Sequence, residues 1–223
     1  MMKKLPALIF ALAVSALAGT ANAPAVQAGA DSAKAAASRE YRIKAAFLYN
    51  FAKFTSWPAA AFADAKSPLR LCVLGKDPFE GALAVLEGRT VKNRPIVASR
   101  PSSTDSLEKC HLLFVSASEH GRLGTILESL RGMPVLAVGD TPRFARSGGI
   151  IRLKTVENRV RFEINVEAAH HAKLKLDSRL LRLGRIVGKR AASLPRRPAP
   201  AEETARLAII SPASGTSREH QRR

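Results

Sequence analysis

Leu69-Arg70-Leu71-Cys72-Val73-Leu74-Gly75 is a short apolar run closed by glycine, and Asp77-Pro78 follows it at once. Too short for an amphipathic helix, the run reads as a strand buried on both faces. Asp-Pro is a good N-cap and N1 pair, which predicts a helix to about Leu86, stopped by Gly88. The same order recurs downstream. Cys110-His111-Leu112-Leu113-Phe114-Val115-Ser116 reads as a second strand, followed by a helix from Ser118-Glu119 to about Leu130 with Gly132 as its stop. Pro134 to Val138, closed by Gly139-Asp140, reads as a third strand, and Thr90 to Ala98 as extended. Strands alternating with helices at this spacing predict an α/β fold, a single domain with a mixed β-sheet flanked by helices on both faces.

Upstream, a helix is expected from Arg39 until Trp57-Pro58, because proline disfavours the α conformation in the residue before it. Ile43, Phe47, Phe51 and Phe54 are spaced 4, 4 and 3, which predicts an apolar stripe with Arg42, Lys44 and Lys53 reaching water. Residues 24–38 are Ala-rich without bulky apolar periodicity and are expected to be flexible. Downstream, Gly148–Leu153 and Val160–Asn165 flank Glu157-Asn158, predicting a C-terminal antiparallel hairpin. Helical signal returns at Val166 and turns near Leu174 to Asp177. It resumes with Ser178 as a cap and Leu180, Leu181, Leu183 and Ile186 as the apolar face.

The composition, 46% hydrophobic and 24% charged over 223 residues, excludes a wholly disordered chain. With 36 Lys+Arg against 18 Asp+Glu the net charge is +18, which attracts polyanions without choosing among them. The N-terminus narrows the choice. Lys3-Lys4, an apolar stretch from Leu5 to Ala18 and small residues thereafter have the layout of a secretory signal over residues 1–23, with cleavage anywhere from 18 to 30. An uncleaved anchor is the alternative, although the apolar run is below the roughly 20 residues a span needs. Export to the periplasm, sparse aromatics and scattered basic residues argue against nucleic acid as the partner. From residue 189 to 223, four prolines and eight basic against three acidic residues predict a disordered basic tail that could touch anionic membrane or cell-wall surfaces. The ordered domain is expected over 39–188.

In an oxidising compartment, Cys72 and Cys110 most simply pair with each other, and two separate buried thiols are the alternative. Candidate chemistry is sparse. His170-His171 are neighbours and do not share a helix face as i, i+4 metal ligands would. His111 reads as a packed or hydrogen-bonded core residue. Gly75-Lys76 lacks the spacing of a phosphate loop, and no G-x-S-x-G elbow is present. Neither a cofactor, a metal nor a catalytic centre is expected. Glu163 interrupts an apolar strand: it is either an outward-facing strand residue or, with Phe162 and Asn165, part of a partner-binding surface. A pocket at strand ends near Gly75 or Gly139 is the place for a small molecule, should the chain be a periplasmic binding module.

Tyr41-Arg42-Ile43-Lys44-Ala45-Ala46-Phe47-Leu48-Tyr49-Asn50-Phe51-Ala52-Lys53-Phe54 with Trp57-Pro58 resembles the opening of the YfiR-like exported proteins. So do Cys72-Val73-Leu74-Gly75 with Asp77-Pro78-Phe79, Cys110-His111 before a strand, Gly148-Gly149-Ile150-Ile151, Arg161-Phe162-Glu163-Ile164-Asn165 and Ser178-Arg179-Leu180-Leu181. The resemblance runs from about Arg39 to Val187. It implies a periplasmic regulator, not an enzyme, that represses an inner-membrane diguanylate cyclase or similar sensor enzyme by binding its periplasmic region, so limiting cyclic di-GMP and biofilm formation. It also implies that Cys72 and Cys110 are the family's cysteine pair, and it suggests a homodimer. Two departures stand out: no further cysteine lies between Thr141 and Asn165, and the tail after Lys189 is outside the family pattern.

Overall fold

Ten strands and four α-helices are found in the computed structural model, which describes residues 24–188. The expected signal segment and the basic tail lie outside the described residues. In chain order the elements are α1 (Pro24–Lys53), β1 (Thr55–Ser56), β2 (Leu69–Leu74), β3 (Thr90–Val91), β4 (Arg94–Ser99), β5 (Leu112–Val115), α2 (Leu123–Ser129), β6 (Leu136–Gly139), β7 (Ile151–Val156), β8 (Arg159–Asn165), α3 (Val166–His171), β9 (Lys175–Leu176), α4 (Ser178–Leu183) and β10 (Arg185–Val187). Eight strands form one mixed sheet in the order β10-β8-β7-β6-β5-β2-β4-β3, while β1 and β9 pair separately. The stretch β4-β2-β5-β6-β7 is parallel throughout, β8 returns antiparallel to β7, and β10 runs parallel to β8.

The strand period divides the core into two halves. Leu71, Val73, Leu112, Phe114, Leu136 and Val138 point to the α1 side and pack with Leu48 and Phe51. Cys72, Leu74, Leu113, Val115 and Ala137 point the other way, onto Leu123, Ile126 and Phe144. The disulfide Cys72–Cys110, with Cα atoms 5.9 Å apart, lies in this second half and ties β2 to the segment entering β5.

Several expectations need correction. The first helix starts at Pro24 instead of Arg39, so the Ala-rich 24–38 segment belongs to it. Alanine's high helix propensity carries the helix past the end of the apolar stripe, and residues 31–37 stay exposed. The buried face is also rotated: Lys44, Ala45, Leu48, Phe51 and Ala52 turn inward, while Ile43 is exposed and Phe47 and Phe54 are half-buried. No α-helix follows Asp77-Pro78. Asp77 Oδ1 accepts from Phe79 N at 2.8 Å, and Glu80 and Gly81 take φ of +46° and +86°, which ends any helix before it propagates. Thr90–Ala98 is a hairpin, with Lys92 and Asn93 at φ +50° and +64°. A 3₁₀ segment, Ala117–Arg122, precedes α2. Asp177, not Ser178, caps α4, accepting from Arg179 N. That helix stops at Leu183, which is 74% exposed, and Ile186 belongs to β10. A Cβ at Gly184 would lie 2.6 Å from Phe162 and Ile164, so the chain passes flat against β8 and joins the sheet.

The β7–β8 hairpin forms as expected. Glu157 and Asn158 at its tip have φ of +49° and +59°, as a two-residue turn between right-twisted strands requires.

Candidate functional site: a cationic sheet face and a buried polar anchor

The hairpin register sorts the side chains of β7, β8 and β10 onto two faces. Val160, Phe162 and Ile164 turn to the α1 core, where the Phe162 ring meets Phe47 at 5.8 Å and Phe51 at 5.1 Å. On the opposite face Arg152 stands across from Glu163, Lys154 across from Arg161, and Arg185 across from Glu163 on the other side. Arg159, Arg161 and Arg185 face solvent; Arg152 and Lys154 are half-buried. Five cations therefore share this face with Glu163, and two of them, Arg152 and Lys154, contact it.

Glu163 is only 4% exposed, and its two oxygens accept from Lys154 Nζ at 3.0 Å and Arg152 Nη1 at 3.3 Å. Burial pushes its pKa up. The hydrogen bond and charge of Lys154, with the charge of Arg152, outweigh that and hold the carboxyl below its ordinary 4.5. A depressed folded pKa means that this stabilisation is present in full above 4.5 and is lost as the pH falls through the folded value. Glu163→Gln should therefore melt several degrees below the wild type at pH 7, and the two curves should converge below pH 4.5. A gap that stays constant down to pH 3 would refute this assignment.

Asn165 lies on the same face as Glu163 and is buried. Its Nδ2 donates to Ala145 O at 2.8 Å and its Oδ1 accepts from Ala168 N at 2.9 Å, capping α3. Of the three candidate residues, the structure brings Glu163 and Asn165 to the cationic face and turns Phe162 away from it. All three are buried, and the exposed chemistry of this surface belongs to the arginines around them.

A second polar cluster was not foreseen. Lys44, expected in water, is 3% exposed: its Nζ lies 2.6 Å from Asp140 Oδ2, 2.7 Å from Glu40 Oε1 and 4.2 Å from the Tyr41 ring centroid. The Tyr41 hydroxyl donates to the same Asp140 oxygen at 2.8 Å. Burial, then the Asp140 charge, push the Tyr41 pKa well above its ordinary value, so the phenol stays protonated and cannot serve as a base. Burial raises the Glu40 pKa, but hydrogen bonds from Lys44 and Thr155 bring it below its ordinary value. The cluster fastens α1 to the end of β6. The one cue in the sequence was Lys44's place at i−4 and i−7 from Leu48 and Phe51, which puts it on their face.

The strand ends near Gly75 and Gly139 are filled. A Cβ at Gly75, which has φ +88°, would lie 2.4 Å from Ser118 Oγ and 2.6 Å from Glu119 Oε1. Lys76 N donates to Ser118 Oγ at 2.9 Å, and Glu119 is ion-paired with Arg122. Gly139 abuts the Phe144 ring, with only 2.6 Å for a Cβ. Open space lies elsewhere. A cavity of about 490 Å³ sits between α2 and α3, and a groove of about 340 Å³ runs between α1 and residues 82–89.

His111 is a core residue. Its Nδ1 accepts from Arg70 N at 3.0 Å, its Nε2 lies 2.9 Å from Ala61 O, and its ring stacks on Phe62 at 4.2 Å. Burial holds its pKa below the ordinary value, so the ring is neutral at pH 7. His170 and His171 have centroids 6.5 Å apart, and His171 lies 3.9 Å from Glu167. Among the described residues no group of three or more His, Cys, Asp or Glu could hold a metal ion, and no helix is long and apolar enough to cross a membrane.

A family model described as YfiR/HmsC-like matches residues 41–185. No curated protein matches the chain. Among solved structures, the ABC domain from Streptococcus pneumonia in complex with L-Trp is similar at 9% identity, over 53% of this chain and 55% of that one, with a TM-score of 0.40. The chain thus spans about half the length of that structure, and a likeness at this level carries no argument.

Proposed function

The chain belongs to the YfiR/HmsC-like family, and from that membership we propose that it is a periplasmic regulator. It docks on the periplasmic region of an inner-membrane diguanylate cyclase, or a similar membrane sensor enzyme, and represses it, limiting cyclic di-GMP and biofilm formation. The observation that carries this reading is the family match across nearly the whole domain. Members of this family regulate; they do not catalyse. Export through residues 1–23 puts the chain on the side of the membrane where such a sensor region lies.

Docking is assigned to the β7–β8–β10 face. Arg159, Arg161 and Arg185 offer guanidinium forks to carboxylates of a partner, while Glu163 holds Arg152 and Lys154 in register behind them. Phe162 and Asn165 contribute by fixing the strand against α1 and α3. Repression follows if the regulator binds the inactive form of its partner more tightly than the active one. Reversing a 1:99 population needs about 5.5 kcal/mol of differential affinity, roughly 10⁴-fold. A surface centred on several charge-assisted pairs can supply that where a single contact cannot.

Deleting the gene should raise cyclic di-GMP, and the wild-type gene should restore the low level. The doubly substituted Arg161→Glu/Arg185→Glu protein should fail to restore it while melting within a few degrees of wild type, since exposed substitutions typically cost within about 0.5 kcal/mol. Unchanged nucleotide after deletion removes the repressor reading. Full restoration by the charge-reversed protein removes the docking face alone.

The cavity between α2 and α3 favours a second reading, a periplasmic small-molecule binding module. Leu127, Val135 and Ile150 provide an apolar floor, and Arg131 and Glu167 provide charged walls, the layout of a pocket for a small amphiphile. A ligand that binds only the native state raises the melting temperature by mass action.

A further inference from the structure

The groove between α1 and residues 82–89 has no role in the docking face, and its chemistry is different. Its floor is apolar, built from Ala45, Tyr49, Ala82 and Leu86, and Val85 stands on its wall 65% exposed. Arg42 and Arg89 are the charged residues that line it, and no carboxylate does. The Arg89 guanidinium lies 5.7 Å and Lys53 Nζ 5.4 Å from the Tyr49 ring centroid. An occupant must therefore bring aliphatic side chains together with carboxylates.

We propose that the occupant is this chain's own segment Glu202–Ile210. Residues 189–223 carry eight basic against three acidic residues, an excess that this surface would repel. Within them Glu202-Glu203 is the only pair of adjacent acids, and Leu207, Ile209 and Ile210 form the only cluster of large aliphatic residues. The two features lie within nine residues of each other. Glu203, Leu207 and Ile210 are spaced 4 and 3 in the sequence, so one carboxylate and two aliphatic groups recur within eight residues.

The tether is long enough. Fourteen residues, 189–202, separate the last described residue, Gly188, from Glu203. They can span up to about 46–50 Å, while a domain of this size has a radius of gyration of roughly 15 Å. Tethering also sets an effective concentration on the order of millimolar. Two aliphatic side chains and an ion pair then suffice to fill the groove without the affinity a free peptide would need. The contact lies within one chain, so it stands or falls independently of the regulator reading.

The experiment uses the full chain with a photo-crosslinking residue at Val85, a mixture of isotopically heavy and light protein, and mass mapping of the products. The expected result is crosslinking to residues 203–210 of the same chain. The yield should fall at least tenfold in Leu207→Asp/Ile210→Asp. It should fall likewise in Arg42→Glu/Arg89→Glu and return when Glu202→Arg/Glu203→Arg is added. Heavy–light mixed products, capture of lipid from added phosphatidylglycerol vesicles in preference to the segment, or a yield indifferent to Leu207→Asp/Ile210→Asp would each overturn the proposal.

Discussion

Lys44→Met should lower the melting temperature by about 6–20 °C. Its Nζ is the cation for Asp140, whose side chain is more than nine-tenths buried and whose Oδ1 already lacks a hydrogen-bond partner. Removing one member of a buried ion pair typically costs about 3–5 kcal/mol, because the survivor is left charged and dry. In a domain of this size each kcal/mol moves the midpoint by about 2–4 °C. Glu40 adds less, since it is partly exposed and water screens its loss. The isolated cost of the pair is much smaller than the cost of halving it. Lys44→Met/Asp140→Leu should therefore recover most of the lost stability, as buried pairs replaced by apolar groups often do. A single variant that melts within 2 °C of wild type would show that Asp140 finds water or another donor, and that the cluster does not fasten the helix.

Breaking the Cys72–Cys110 bond should be comparably costly. The bond closes a loop of 38 residues, worth about 4 kcal/mol in the chain-entropy account, or about 8–16 °C here. Both sulfurs lie in the core half beneath α2, so reduction also leaves two thiols where β2 and the entry to β5 must stay in contact. Among the described residues there is no free cysteine, and any redox response runs through this one bond. If the chain is the proposed repressor, Cys72→Ser should both lower the melting temperature and raise cyclic di-GMP in the complemented strain. The wild-type protein should lose the same stability in dithiothreitol. Unaltered melting together with unaltered repression would remove the bond from both roles.

The central strands and the C-terminal hairpin were legible because their determinants are local. A strand buried on both faces must be apolar at successive positions, as Leu71 to Leu74 and Leu112 to Val115 are. Asn158 tolerates positive φ, and the alternation from Arg161 to Ile164 shows which side chains face the core. The cationic face was half legible. Glu163 marked the place, but the arginines that make it a surface come from three strands and meet only through the register.

Other features lay beyond local pattern. The Ile43–Phe54 spacing established an apolar helix yet not its rotation, because half-buried aromatics flank a stripe about as well as they fill it. Asp77-Pro78 predicted a helix from two residues, and the positive φ at Glu80 and Gly81 shows that the crossing from β2 to β3 overrides that preference. Leu180 to Ile186 kept helical spacing while Gly184, pressed on Phe162, sent the chain into β10 instead.

The amino-acid order alone determined the α/β class, the buried strands and the Glu157-Asn158 turn, all of which depend on neighbours a few residues apart or on residue type. The bond between Cys72 and Cys110 was one of two readings until the fold brought them together. Tertiary structure decided the inward turn of Lys44, the pairing of Glu163 with Arg152 and Lys154, and the filling of the strand ends near Gly75 and Gly139. The reason is distance along the chain: beside its near neighbour Glu40, Lys44 needs the buried counter-ion Asp140, 96 residues away. A charge can be buried only where the fold brings its partner, and no short window of sequence contains both Lys44 and Asp140.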